Sequence, residues 1–211
     1  MQLAAVVFIC AASFTSTIAY SSPLAPEATT LAPFLELDGK EAHGGNGVIC
    51  RDSKKRIKTV QLMDFYEGEI LYGVKIKYSP KPSTEQAMSI AKTLDDVVYS
   101  EGRSDIHADV FATIIKNIKF LPKGVRLKPV DDSKDILIPA ACGVEQLALY
   151  TPDGIVHIVG DFWEKMSETD KAGLVSHEAL FRMERFAGQS DSIRARMINA
   201  YAFSKYPFVP V

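Results

Sequence analysis

The dipeptide His177-Glu178 is the strongest candidate for chemistry in this chain. It lies in a segment whose apolar spacing predicts a helix. A helix with two histidines four residues apart, and a glutamate after the first, can bind zinc and activate a water molecule. The residue four positions after His177 is Phe181, and a phenyl ring cannot bind a metal ion. The first histidine and the glutamate of the zinc motif are therefore present, and the second histidine is missing. Neither a metal ligand nor a cofactor is predicted.

Two roles without metal remain open for His177 and Glu178. On a helix that turns by about 100° per residue, His177 falls beside the apolar face, where a histidine can form a structural hydrogen bond with a neighbouring element. Alternatively, the two side chains act together as a general acid and base, which makes both of them candidate catalytic residues. Glu178 also precedes Arg182 by four residues, which is a favourable spacing for a helical ion pair.

Arg182 and Arg194 are the candidate binding residues. Arg194 follows Asp191 by three residues at the predicted start of the last helix, where an acidic side chain interacts favourably with the helix dipole. A helix cap with a local ion pair explains this segment without any function. Arg194 and Arg196 can also reach back to Glu178 or Glu184 and so tie the last two helices together.

The elements that must position these residues are predicted as helices and strands in separate runs. Ser167 and Asp170 form a near capping box for a long helix, and Pro152-Asp153-Gly154 is a turn signal between two apolar strands. The predicted helices cover about 83–100, 105–120, 168–187 and 190–204, and the predicted strands cover 57–63, 125–130, 144–150 and 155–159. This order predicts an α+β fold in a single domain, with a small antiparallel sheet packed against about four helices.

The start of the chain predicts export. Residues 1–26 carry no charged side chain, and residues 3–12 form an unbroken apolar or small run. Such a run has the length of a signal-peptide core and is too short to span a bilayer. We expect a signal peptide over 1–19 (cut after 19 or 21), a flexible segment over 20–46 and a single domain over 47–211. A retained signal anchor is the alternative, because no basic residue precedes the apolar run.

Cysteine usage and charge limit the possible environments and partners. Cys50 and Cys142 remain after Cys10 leaves with the signal peptide, and in an oxidising compartment such a pair predicts one disulfide. Two buried free thiols are the alternative. The formal net charge of −2 gives no support for binding of nucleic acid or of an anionic membrane. No stable membrane span is expected after signal cleavage, and the sequence identifies no partner.

Several motifs, taken together, resemble those of a known group of proteins. They are Gly44-Gly45-Asn46-Gly47-Val48-Ile49-Cys50, Asp64-Phe65-Tyr66-Glu67-Gly68, Trp163, His177-Glu178-Ala179-Leu180-Phe181-Arg182, and Asp191-Ser192 with Arg194 and Arg196. Over about residues 44–204 the chain resembles a family of uncharacterised secreted proteins from predatory and other proteobacteria. The resemblance implies an exported protein and adds no particular chemistry.

The sequence therefore favours a secreted or periplasmic globular protein that acts as a non-catalytic binding or envelope-associated module. The alternative is a zincin-like hydrolase, active or degenerate, centred on the helix that carries His177 and Glu178. The two differ in what His177 does: a structural histidine contributes to stability, whereas a catalytic one contributes to activity.

Overall fold

The structure, a computed structural model, describes residues 44–99, 104–128 and 136–205. Within these ranges the elements follow one another as β1 (Asn46–Arg51), β2 (Ile57–Leu62), α1 (Met63–Tyr72), α2 (Ser83–Val98), α3 (Ile106–Lys116), β3 (Ile118–Leu121), β4 (Cys142–Gln146), β5 (Ala148–Tyr150), β6 (Val156–Val159), α4 (Gly160–Trp163), α5 (Glu168–Phe186) and α6 (Ile193–Ala202). The predicted α+β class is confirmed. The predicted signal peptide, and the flexible segment up to residue 43, lie outside the described residues.

The strands are divided between two small sheets. In the first, β1 lies between β2 and β4 and is antiparallel to both. In the second, β6 lies between β5, which is antiparallel to it, and β3, which is parallel to it. The four predicted helices correspond to α2, α3, α5 and α6. The structure adds α1, which is as long as α6, and the short helix α4. None of the helices in the described ranges combines the length and hydropathy that a bilayer span needs.

A disulfide joins the two sheet strands β1 and β4. Cys50 and Cys142 are directly opposite each other in the antiparallel register and are bonded, as the sequence predicted. Their separation of 92 residues closes a large loop, and the chain-entropy model gives a loop of that size about 4–5 kcal/mol of stabilisation.

The hairpin of the second sheet forms where the turn signal predicted it. Thr151 donates its backbone N–H to Ile155 O over 2.9 Å, which closes the turn between β5 and β6. Gly154 has a φ of 84°, a left-handed conformation that glycine adopts without steric cost. The turn brings Tyr150, Thr151 and Pro152 beside the C-terminal half of α5.

Several element boundaries differ from the prediction. The strand predicted over 144–150 is divided between β4 in the first sheet and β5 in the second. The helix predicted over 105–120 ends at Lys116, and Ile118–Leu121 instead forms β3, which pairs with β6 in parallel. The apolar spacing of the helix extends to Ile118, and a short apolar segment can form either a buried strand or a helix face. The sequence therefore did not reveal where the helix ends. Of the predicted strand over 125–130, residues 125–128 are described and belong to neither of the two sheets.

The centre of the fold is α5, which packs on α2, α3 and α6 and also contacts β2. Close packing of α1 on α5 depends on Gly173, since a Cβ there would stand 2.4 Å from the Phe65 ring and 2.7 Å from Leu62. The middle of α5 is thus buried on every side, and it carries His177 and Glu178.

Candidate functional site

The helix that carries the candidate residues begins as the sequence predicted. Ser167 is the N-cap of α5 and accepts a hydrogen bond from the Asp170 backbone N–H. The Asp170 side chain in turn accepts from the Leu62 backbone N–H over 2.9 Å, which joins the start of α5 to the end of β2. This anchoring places His177 and Glu178 in the interior, where they are 1% and 2% exposed.

The imidazole of His177 is paired with the carboxylate of Asp64, which lies in the first turn of α1. His177 Nδ1 is 3.1 Å from Asp64 Oδ1 and 2.9 Å from Oδ2. Asn199 of α6 donates from its side-chain Nδ2 to Asp64 Oδ2 over 2.7 Å and to Gly173 O over 2.8 Å. Three helices therefore meet at one buried carboxylate.

Electrostatics favour the charged forms of both partners. Burial opposes ionisation of Asp64, but the neighbouring His177, Asn199 and Arg196 outweigh it and hold the pKa of Asp64 below its ordinary value. Burial likewise acts to lower the pKa of His177, yet the charge and hydrogen bond of Asp64, with a further contribution from Glu178, raise that pKa to about 9. At neutral pH the two groups thus form a buried imidazolium–carboxylate pair.

This pairing favours a structural role for His177. A general base works best with a pKa near the operating pH, and an imidazole with a pKa of about 9 already carries its proton at pH 7. Its Nε2 atom is buried and, in the part of the chain that the structure describes, has no hydrogen-bond partner. The histidine thus lacks both contact with solvent and the ionisation that proton abstraction needs.

Glu178 has a different partner from the one predicted. Instead of an ion pair with Arg182, its Oε1 accepts the backbone N–H of Gly45 over 2.7 Å. The prediction considered only the helix itself, and it missed the chain that covers α5 here. Burial raises the pKa of Glu178, and the charge of His177 and the Gly45 hydrogen bond oppose that rise only in part. The other oxygen, Oε2, is buried and has no partner among the described residues.

The glycines at 44, 45 and 47 are required for space and not for a turn. None of them has a positive φ, so none of them forms a left-handed turn. A Cβ on Gly45 would lie 2.4 Å from Leu174 Cδ1, 3.4 Å from Glu178 Oε1 and 3.5 Å from His177 Cδ2. Gly44, Gly45 and Asn46 are buried, and β1 begins at Asn46.

A second buried ion pair lies next to the first. Arg196 of α6 is 2% exposed, and its Nε donates to Glu67 Oε2 over 2.7 Å. Its Nη1 also donates to Ser192 Oγ over 2.6 Å. The sequence suggested Glu178 or Glu184 as acidic partners of Arg196, and the structure pairs it with Glu67 instead. The pattern Arg196, Asn199 and Ala200 on the inner face of α6 is visible only once the neighbouring helices are known.

Beside these buried charges an open cleft runs between α5 and the β5–β6 hairpin. Its volume is about 360 Å³, and it is lined by Tyr150, Thr151, Pro152, Glu178, Phe181, Arg182, Arg185 and Phe186. Arg182 lies over the ring of Tyr150 at 5.6 Å and close to that of Phe186 at 5.9 Å. Glu178 and Phe181 are the most buried of the lining residues. The cleft therefore combines cationic, aromatic and carboxyl groups in one concave surface.

The other candidate binding residue, Arg194, lies away from the cleft. Its Nε is 3.4 Å from Glu184 Oε1, which is one of the two acidic partners that the sequence suggested. Asp191 accepts a hydrogen bond from the Ile193 backbone N–H over 3.0 Å, next to the N-cap residue Ser192, and no ion pair joins it to Arg194 among the described residues. Of the two predicted binding residues, Arg182 lines the cleft.

The arrangement gives no support for a zinc centre in the described ranges. No group of three or more His, Cys, Asp or Glu side chains there could hold a metal ion. Phe181 is 2% exposed and its ring lies 6.1 Å from that of His177.

Comparison of the chain with protein-family models, curated protein sequences and solved structures finds no match.

Proposed function

We propose that this protein is an exported binding module and that the cleft between α5 and the β5–β6 hairpin takes a small organic anion with an aromatic or aliphatic body. The observation that carries the proposal is the composition of the cleft. Arg182 and Arg185 stand in one concave surface with the rings of Tyr150, Phe181 and Phe186.

The arginines and the aromatic side chains of the cleft can bind two different parts of one ligand. Guanidinium groups bind carboxylates and similar oxyanions through charge-assisted hydrogen bonds. Aromatic walls with a few polar groups are typical of small-molecule sites. Arg182 stacks near two aromatic rings and makes no ion pair within the described ranges, so its donors are available to a ligand. Phe186 is 82% exposed, which leaves apolar surface for a ligand to cover.

Two features support export. The Cys50–Cys142 disulfide is of a kind that persists in oxidising compartments and is rare in the cytosol. The uncharged, apolar start of the chain has the pattern of a signal peptide. Detection of the mature form outside the cytoplasm, with its N-terminus determined by mass spectrometry, tests this part of the proposal.

Binding is tested with a charged and an uncharged fluorescent probe of similar shape. Anilinonaphthalene sulfonate carries an apolar aromatic body and a permanent anion, and phenylnaphthylamine has the same body without charge. We expect Arg182→Gln to weaken sulfonate binding by about tenfold or more, as expected for loss of a hydrogen bond to a charged group. Phenylnaphthylamine binding should be nearly unchanged.

Arg194→Gln is the matched control, since it removes the same charge from an exposed position on α6. Circular dichroism of each variant checks that the probe reports the cleft and not unfolded chain. Equal sulfonate affinities for the wild type and Arg182→Gln would refute the proposed site.

A further inference from the structure

The geometry points to Glu178 as a proton-dependent ligand contact: in its neutral form the Oε2 hydroxyl donates a hydrogen bond to the anionic group of the ligand, and loss of that proton weakens binding. This inference rests on the proposed function of the cleft. It adds a specific contact and a mode of regulation by pH.

The position of the carboxyl group carries the argument. Oε1 is fixed by the Gly45 backbone N–H at 2.7 Å, so the carboxyl plane is held in place. Oε2 has no partner among the described residues, although the side chain is 2% exposed and lines the cleft. A buried polar atom without a partner costs about 1–3 kcal/mol. A ligand atom that hydrogen bonds with Oε2 would recover that cost.

The location relative to Arg182 identifies the ligand group involved. Glu178 and Arg182 are four residues apart on α5, so their side chains lie on the same side of the helix and line the same cleft. An anion bound by Arg182 would therefore come near the Glu178 carboxyl. If the carboxyl were ionised, the two negative charges would repel each other. If it is neutral, its hydroxyl is a donor that matches the anion.

The charges around Glu178 decide how easily it ionises. His177 on α5 and Asp64 on α1 act on Glu178, and Arg182 and Arg185 of α5 line the same cleft. The charges of His177 and Asp64 largely offset each other because the two are paired. Burial then dominates and raises the pKa of Glu178, which favours the neutral form.

The test is the pH dependence of anilinonaphthalene sulfonate affinity between about pH 5 and about pH 9, a range over which the sulfonate itself stays ionised. We expect the dissociation constant of the wild type to increase with pH, by up to tenfold per pH unit above the pKa of Glu178. Glu178→Gln presents an amide donor in place of the hydroxyl, so its affinity should match that of the acid form and stay constant.

Glu164→Gln is the matched control. Glu164 pairs with Lys123 at an exposed site outside the cleft, so this variant should keep the wild-type dependence. Calorimetry of the wild type in two buffers with different ionisation enthalpies gives a second readout that needs no variant. We expect proton uptake when the sulfonate binds above the pKa of Glu178.

The outcomes separate this inference from the proposed function. Wild-type affinity that is constant with pH, or a Glu178→Gln variant that keeps the full pH dependence, overturns the role of Glu178. In either case a selective loss of sulfonate binding in Arg182→Gln would still support the cleft. If Arg182→Gln binds the sulfonate as well as the wild type does, both proposals fail.

Discussion

His177 Nδ1 lies 2.9 Å from Asp64 Oδ2, although 113 residues separate them along the chain. The pair joins the first turn of α1 to the middle of α5 inside the protein, at exposures of 1% and 0%. The ion pair is therefore part of the protein core. Its contribution to stability depends on both groups keeping their charge.

Stability should therefore fall at alkaline pH. The pKa of His177 is about 9 in the folded protein and its ordinary value is 6.5. Stabilisation by the imidazolium is fully present below about pH 6.5 and is lost as the pH rises through about 9, and a shift of this size corresponds to about 3 kcal/mol. The stabilisation is measured by urea unfolding of the wild type and of His177→Gln at about pH 6 and at about pH 10. The advantage of the wild type should shrink at the higher pH, and an equal advantage at both values would contradict the assignment.

Removing one member of the second buried pair should cost more than removing the pair. In Arg196→Met the Glu67 carboxylate stays buried without its partner, and we expect a loss of about 3–5 kcal/mol in the free energy of unfolding. The double variant Glu67→Gln, Arg196→Met should recover part of that loss. Arg194→Met is the control on the same helix, with an expected change within about 1 kcal/mol because the Arg194 side chain is exposed. A double variant no more stable than Arg196→Met alone would argue against uncompensated charge as the cause.

Gly45→Ala should destabilise the fold. The added methyl group would stand 2.4 Å from Leu174 Cδ1 and against the Glu178 carboxyl, so the β1 entrance must move away from α5. Overpacking of this kind typically costs about 1–3 kcal/mol. Gly143→Ala in β4 is the matched control, since no atom lies within 4 Å of its added Cβ. Similar melting temperatures for the two variants would show that the space at Gly45 is not restrictive.

Metal content distinguishes the binding module from the zincin-like hydrolase. Elemental analysis of the purified protein should find no equivalent of zinc that depends on His177, because the next helical turn presents Phe181 and no group of three or more His, Cys, Asp or Glu side chains in the described ranges could hold a metal ion. His177→Ala should lower stability. One equivalent of zinc in the wild type that disappears in His177→Ala would instead favour the hydrolase.

Local signals were sufficient for the features that depend on neighbouring residues. Ser167 caps α5, Pro152-Asp153-Gly154 forms the hairpin turn, and the apolar spacing marks the four long helices. The Cys50–Cys142 disulfide followed from the count of cysteines and from the predicted compartment. These features are encoded within a few residues or by composition.

Such local signals cannot identify partners that are distant in the sequence. Glu178 was assigned to Arg182 because they are four residues apart, yet it binds Gly45 at a separation of 133 residues. Asp64 and Asn199 looked like ordinary helix residues until α1 and α6 were placed against α5. The β3 strand was missed for a similar reason, since its stability comes from pairing with β6 and not from its own spacing.

The hydrogen bond from Gly45 to Glu178 makes the backbone amide of Gly45 a spectroscopic reporter. Its proton resonance should shift when the carboxyl that it contacts gains or loses charge. Glycine-selective nitrogen-15 labelling would reduce the spectrum to a small set of signals, among which Gly45 is identified by its loss in Gly45→Ala. Titration of that one signal would follow the ionisation of a group in the interior without any substitution at the group itself.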